Sequence, residues 1–335
     1  MLIEEKQTEF ILLETNCPYC SSFNKNNLVK TKDYEMDYNV EFTVSVCIDC
    51  GFIYTSIRPE EEVLYKVFYP DNYLCYGVKH KKGLACFIDK VRMGKQAKER
   101  ASLIKKYFQK KNIKILEVGS ATGEFLQFVK NNYGWESEGI EPNEQLAIQC
   151  KQEGLNIINS TLENASIKDD YYDVICLFNV LEHLWDPKAA LIKLNKSLKK
   201  DGIIIAELPN PNSPMRTLFG KHWFLYHLPR HLSHFSEKSL ANIMQKTGFY
   251  HLKTFKMFRP TVNALSFQYK IKDNIKSKII KNILNTNNPL IILLSLIVEI
   301  INNLFYDSNI VLSVFKKEKT PSIKENTHLI TKRIS

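Results

Sequence analysis

Glycine and proline are scarce, 12 of each in 335 residues. That excludes collagen-like repeats and argues against a largely disordered chain. No uncharged run reaches the roughly 18 to 20 residues that cross a bilayer, which disfavours a spanning helix. The first residues carry Glu4, Glu5, Glu9 and Glu14 where a secretory leader would put basic residues before an apolar core. The expectation is a cytoplasmic, reducing compartment, in which cysteines serve as metal ligands or inert thiols more often than as disulfides.

What is present is more specific. Lys and Arg number 46 against 36 Asp and Glu, a net charge of +10. A positive surface attracts phosphate on nucleotide sugars, anionic lipids or nucleic acid without choosing among them. Four of the eight cysteines form two tight pairs, Cys17-Pro18-Tyr19-Cys20 and Cys47-Ile48-Asp49-Cys50-Gly51. Two thiolates on each turn complete a tetrahedral shell, so residues 1–57 read as a ribbon holding a structural Zn²⁺, with a redox pair as the alternative. Cys75, Cys86, Cys150 and Cys176 read as buried small apolar residues. Zinc ribbons often meet nucleic acid. Here Lys25, Lys30 and Lys32 are offset by Asp33, Glu35, Asp37 and Glu41, which disfavours that partner. Residues 58–94 are an aromatic connector, in which Tyr73 and Tyr76 are candidate substrate contacts.

From about residue 95 to 258, helical and strand-like segments alternate, the pattern of a parallel sheet covered by helices. The strand Ile113 to Val118 runs into Gly119-Ser120-Ala121-Thr122-Gly123 and then a helix. Glycines there let the backbone turn sharply and approach a ligand. Glu141 closes the next strand, 22 positions beyond Gly119, where a doubly wound sheet brings a carboxylate to the ribose hydroxyls of a nucleoside. A dinucleotide is the competing ligand. The turn is not G-x-G-x-x-G, however, and Glu117 would repel a pyrophosphate while suiting a cation.

Glu117 to Gly123, Gly139-Ile140-Glu141-Pro142, Asp173-Val174-Ile175 with Leu181-Glu182-His183-Leu184-Trp185-Asp186-Pro187, and Leu198 to Ile205 together resemble the ordered motifs of class I S-adenosylmethionine-dependent methyltransferases. The resemblance implies a Rossmann-like, seven-stranded, mostly parallel α/β sheet over 95–315. It also implies a cofactor site in which Glu117, Gly119, Ala121 and Gly123 line the methionine end and Glu141 takes the ribose. Thr161 and Leu162 would lie near the adenine, and Asn179 would face the cofactor. Ala121 stands where the family often has glycine. A ribbon and connector ahead of such a domain resemble bacterial methyltransferases of sugar and surface-polysaccharide pathways, which implies a sugar or nucleotide-sugar acceptor.

Four of the eight histidines fall in Lys221 to Ser236, a loop expected at the carboxyl end of the sheet, where ligands bind. A neutral imidazole suits removal of an acceptor's proton near pH 7. By resemblance to sugar C-methyltransferases, His231 is the candidate base, with His227 and Tyr226 as further catalytic candidates. Arg230 and His183 are candidates for acceptor binding. Metal binding by this cluster is disfavoured, because Pro229 and the strand-like context give no helical His-x-x-x-His spacing. The family core needs only a short link before the last strand, yet 262–307 inserts a Lys-rich and then strongly apolar helical stretch. Peripheral membrane contact through 270–305, at the inner face of the membrane, competes with a lid, a dimer contact or a self-packed helical pair. The polar tail 316–335 is expected to be disordered. A lipid-like acceptor and a non-catalytic ribbon module on a degenerate fold stand as alternatives to sugar methylation.

Overall fold

The computed structural model describes residues 11–69, 84–109, 112–277 and 288–318, except 37 and 39, together with 284 and 286. Tyr73 and Tyr76 lie outside the described residues.

The ribbon is an antiparallel sheet of β1 (Leu12–Glu14), β2 (Lys25–Lys32), β3 (Glu41–Cys47) and β4 (Ile53–Pro59), in the order β1-β4-β3-β2. Helices α1 (Glu61–Phe68) and α2 (Leu84–Tyr107) lead to the main domain. There β5 (Lys114–Val118), α3 (Glu124–Tyr133), β6 (Glu136–Ile140), α4 (Glu144–Gln152), β7 (Asn156–Ile158), β8 (Tyr172–Phe178), α5 (Pro187–Ser197) and β9 (Leu198–Pro209) follow in turn. After α6 (Pro214–Phe219) and the short β10 (Ser233–His234) come α7 (Glu237–Lys246), β11 (Phe249–Met257), α8 (Thr261–Asn274), α9 (Pro289–Phe305) and β12 (Ile310–Lys317).

The seven main strands lie in the order β11-β12-β9-β8-β5-β6-β7. Five are linked by parallel pairing, and β12 pairs antiparallel with both β9 and β11, so six strands run one way and β12 the other. The central strands are apolar along their length because both faces are covered. Ile115, Val174, Cys176, Ile203 and Ile205 face α2 and α3 through Ala97, Ala101, Ile104, Phe125 and Val129. Leu116, Ile175, Leu177, Ile204 and Ala206 point the other way, to Leu191 and Leu194 of α5 and Leu240 and Ile243 of α7. The chain leaves β5 for β6 on one side and returns to β8 on the other, so a crevice opens at their carboxyl ends.

The ribbon does not stand apart from this domain. Ser233 and His234 of β10 pair with Tyr54 and Ile53 of β4, and Phe52 packs edge-on against Phe235 at 5.2 Å. Thr55 donates from its N–H to the Leu232 carbonyl and from its hydroxyl to the His231 carbonyl. A two-residue strand leaves no periodicity to read, which is why the sequence shows a loop there.

Candidate active site

The cofactor end is built by backbone geometry. Gly119, Ala121 and Gly123 adopt φ of 69, 46 and 75° between β5 and α3. A Cβ on Gly119 would meet Val180 Cγ2 at 2.7 Å, and one on Gly123 would meet Leu155 at 2.5 Å. Ala121 holds the left-handed conformation despite its methyl group. Across the cleft, Glu141 accepts the N–H of Ala121 at 2.8 Å and that of Asn143 at 2.9 Å. Each oxygen keeps a further lone pair for a hydroxyl.

Glu117 is 4% exposed and its Oε2 has no hydrogen-bond partner; the hydroxyl of Ser120 is likewise unpartnered. Burial pushes the Glu117 carboxyl up to about 8 against the opposing charge of Arg100, with Glu124 and Glu141 adding to the rise. An orphaned buried carboxylate beside a left-handed turn fits a ligand that carries both an ammonium and a ribose, as S-adenosylmethionine does. Beneath it, Glu207 receives Arg100 at 2.8 Å and Arg259 at 3.1 Å. Sequence reasoning missed this trio. The signal was Glu207 itself, a lone acid inside the apolar run Ile203 to Leu208, which a buried strand tolerates only when paired.

The remaining cofactor candidates differ in placement. Asn179, exposed and at φ 56°, ends β8 with its N–H bonded to the Glu207 carbonyl at 2.7 Å. Thr161 is half-buried in the turn after β7. The Leu162 side chain is buried in the core, so only its backbone remains for a ligand, and its carbonyl already receives Lys193 at 2.8 Å.

The histidine loop divides into two layers. His231 is 4% exposed and its Nδ1 donates to the Leu225 carbonyl at 2.8 Å. Its ring stands 4.6 Å from that of His183, which follows β8 in a one-turn helix. His183 Nδ1 lies 2.8 Å from the Tyr69 hydroxyl and 3.2 Å from the Arg230 carbonyl. Burial and the Arg230 charge lower His183 to about 3. Burial and the neighbouring imidazoles likewise hold His231 well below its ordinary value, so both rings are neutral at pH 7.

Behind them the sequence-based roles change. Arg230 is 0% exposed and forms a fork with Asp33 at 2.8 and 3.2 Å, reaching Glu35 at 2.7 Å and the Phe68 carbonyl at 3.1 Å. It fastens the ribbon to the loop instead of facing an acceptor. His227 belongs to the same layer, with Nε2 2.9 Å from Glu35. The Tyr226 ring is buried edge-on against Trp223 at 5.1 Å and packs near His234, a structural rather than catalytic position. The acidic residues that read in sequence as charge balance, Asp33 and Glu35, are the other half of this buried cluster.

Among the described residues the four ribbon cysteines bring their sulfurs within 4.8 Å of one another, with Cys17–Cys50 at 3.6 Å and Cys20–Cys47 at 3.5 Å. Zinc–sulfur bonds of about 2.3 Å in a tetrahedron put sulfurs about 3.8 Å apart, so the set fits Zn²⁺. Backbone N–H groups of Tyr19 and Cys20 point at the Cys17 sulfur, and those of Asp49 and Cys50 at the Cys47 sulfur.

Residues 93–254, a little under half of the chain, match the family model described as a methyltransferase domain. An uncharacterized protein of Methanocaldococcus jannaschii is 25% identical over 181 residues, 54% of this chain and 78% of its own length. A ubiquinone biosynthesis O-methyltransferase of Cereibacter sphaeroides is 28% identical over 109 residues, 30% of this chain and 44% of that protein. A S-adenosylmethionine-dependent methyltransferase structure from Archaeoglobus fulgidus has 22% identity and a TM-score of 0.44, covering 67% of this chain and 94% of the other. The chain thus carries a class I methyltransferase domain, with an α/β sheet of seven strands and a four-cysteine cluster in front of it.

Proposed function

We propose that the protein transfers a methyl group to an oxygen or carbon of a sugar or nucleotide-sugar acceptor in a cytoplasmic step of a cell-surface glycan pathway. The observation that carries this reading is the pair of neutral imidazoles, His183 and His231, at the carboxyl edge of the sheet beside the cofactor turn. When bound, S-adenosylmethionine supplies an electrophilic methyl group on a sulfonium. The residues of this chain have to align the acceptor, exclude water and take up its proton. Glu117 balances the charge of the ammonium, Glu141 fixes the ribose, and His231, held at Nδ1 by the Leu225 carbonyl and with Nε2 3.4 Å from His227 Nδ1, takes up the acceptor's proton. Arg230 and His227 are positioning residues for that loop, and a Zn²⁺ in the four cysteines keeps the ribbon rigid against it. The sugar class rests on the resemblance of the ribbon and connector to sugar-modifying relatives.

With a panel of nucleoside-diphosphate sugars, release of S-adenosylhomocysteine identifies the acceptor. His231→Gln is then expected to lower turnover by about 10² to 10⁴-fold and leave cofactor affinity within a factor of about three. Full turnover in that variant contradicts the role of His231.

A second reading, a lipid-linked or lipid-like acceptor met at the membrane surface, is favoured by α9. This helix is turned inside out: Ser295, Glu299 and Asn302 are buried, while Leu293, Ile297, Ile301, Leu304 and Phe305 are exposed. Glu299 anchors the inner side by accepting the Arg259 N–H and the amides of Asn263 and Asn309, each at 2.9 Å. No helix among the described residues is long and apolar enough to cross a membrane. The outer face suits shallow insertion, and the positive balance of the chain suits anionic lipid. Sedimentation with phosphatidylglycerol vesicles is expected to pull down the wild-type chain. Ile297→Glu with Leu304→Glu should lose at least about 90% of that binding without lowering the melting temperature, since each buried leucine-sized side chain contributes about 1.5 to 3 kcal/mol. Wild-type protein left in the supernatant contradicts the membrane reading.

A further inference from the structure

Glu182 is 1% exposed, and neither of its carboxylate oxygens has a hydrogen-bond partner. An ionised carboxylate in that position costs several kcal/mol unless a cation completes it. It lies in the one-turn helix after β8, and its donor oxygen, together with one ring nitrogen each from His183 and His231, forms a group within 4.8 Å of one another. His231 gives Nδ1–H to the Leu225 carbonyl, which leaves the lone pair on Nε2, 3.4 Å from His227 Nδ1, where a metal would replace that contact; His183 Nδ1 lies 2.8 Å from the Tyr69 hydroxyl and 3.2 Å from the Arg230 carbonyl. A backbone carbonyl behind an imidazole is the usual way to fix the tautomer of a metal-binding histidine. The sequence hid the set because its ligands come from two loops: helical His-x-x-x-His spacing is absent, and the chain folds His183 onto His231 instead.

We propose that Glu182, His183 and His231 hold a first-row divalent transition metal, separate from the four-cysteine site. Two imidazoles and one carboxylate leave coordination positions open, and His183 is only half-buried, so those positions reach the acceptor side. Neighbouring ligands of such an ion lie about 3 to 3.5 Å apart, so binding draws the three side chains inward by an ångström or more. This deepens the methyl-transfer reading and, for its catalytic role only, rests on it. With a metal bound there, Glu182, His183 and His231 would be its ligands, His231 in place of the base role proposed above, and the ion would supply Lewis-acid activation of an acceptor hydroxyl whose proton passes to water.

The test uses full-length protein with its ribbon zinc in place. Elemental analysis after incubation with Co²⁺ and gel filtration is expected to give about two metals per chain in the wild type and about one in Glu182→Gln. The added Co²⁺ should show d–d absorption without the thiolate charge-transfer bands of a cysteine site. Affinity for Co²⁺ should fall at least about 100-fold in Glu182→Gln, beyond the ~10- to 100-fold that loss of an orienting partner alone costs. His231→Gln gives the same reading if Glu182→Gln does not fold. One metal per chain in the wild type, or the same Co²⁺ titration in the wild type and a folded variant, overturns the proposal. Failure to bind S-adenosylmethionine, measured separately, would instead remove the methyl-transfer reading and leave the metal site standing.

Discussion

Replacing Arg230 by Met is expected to destabilise the protein by about 3 to 5 kcal/mol, among the largest effects a single side chain here should have. The guanidinium is wholly enclosed and bonded to Asp33 and Glu35 of the ribbon region, to the Phe68 carbonyl, and through Nε to His227 at 3.2 Å. Methionine fills much of the same space but leaves the buried Asp33 and the half-buried Glu35 without the guanidinium. Removing one partner of a buried pair costs far more than the pair's net contribution, because desolvation of the survivor is uncompensated. The double variant Arg230→Met with Asp33→Asn should therefore recover part of the loss. Urea unfolding monitored by tryptophan fluorescence measures both. A stable Arg230→Met protein that fails only to bind acceptor would return Arg230 to the substrate role its sequence position suggested.

The second large effect is on the cofactor. Glu141→Ala should weaken S-adenosylmethionine binding by about 100-fold or more, since hydrogen bonds to a charged group contribute roughly 1.5 to 3 kcal/mol each and two hydroxyls are at stake. The variant also releases the N–H of Ala121 and that of Asn143, so the turn itself loosens. Glu117 adds a pH dependence with a definite sign. Its carboxyl is raised from 4.5 to about 8 in the folded protein. Stability contributed by holding that proton is thus present below pH about 4.5 and is lost as pH rises through about 8. Pairing with an ammonium needs the ionised form, so cofactor affinity should increase from pH 6 to 8 by at most about tenfold per unit. At pH 7 binding should release a proton, and Glu117→Gln should abolish both the release and the slope.

Much of the fold was legible because its signals are local and redundant. The strands Glu136–Ile140 and Asn156–Ile158 lie, respectively, between the turn residues Gly134 and Pro142 and just after Gly154. The glycine turn announced itself through Gly119 and Gly123, residues that adopt positive φ without strain. Helix α2 starts at Leu84, well before residue 95, where the alternation of helix and strand is read from the sequence. In the site, legibility followed backbone chemistry. Gly119 and Glu141, at a turn and a strand end, stand out by spacing, while Asn179 is named only through the family resemblance. Side chains whose partners come from distant segments do not stand out in this way: Arg230 and Asp33 are 197 residues apart, and Arg100 and Glu207 are 107 apart. A charged residue read in isolation looks like a contact for substrate or solvent. Its burial among opposite charges exists only once the chain is folded.

The central claim is that the turn at Gly119 to Gly123, with Glu117 and Glu141, forms a site for S-adenosylmethionine. Calorimetric titration of the wild-type chain with S-adenosylmethionine at pH 7, in two buffers of different ionisation enthalpy, tests it most directly. The expected result is saturable one-site binding whose heat differs between buffers, lost in Glu141→Ala. Absence of binding in the wild type, or equal affinity in Glu141→Ala, would contradict the claim.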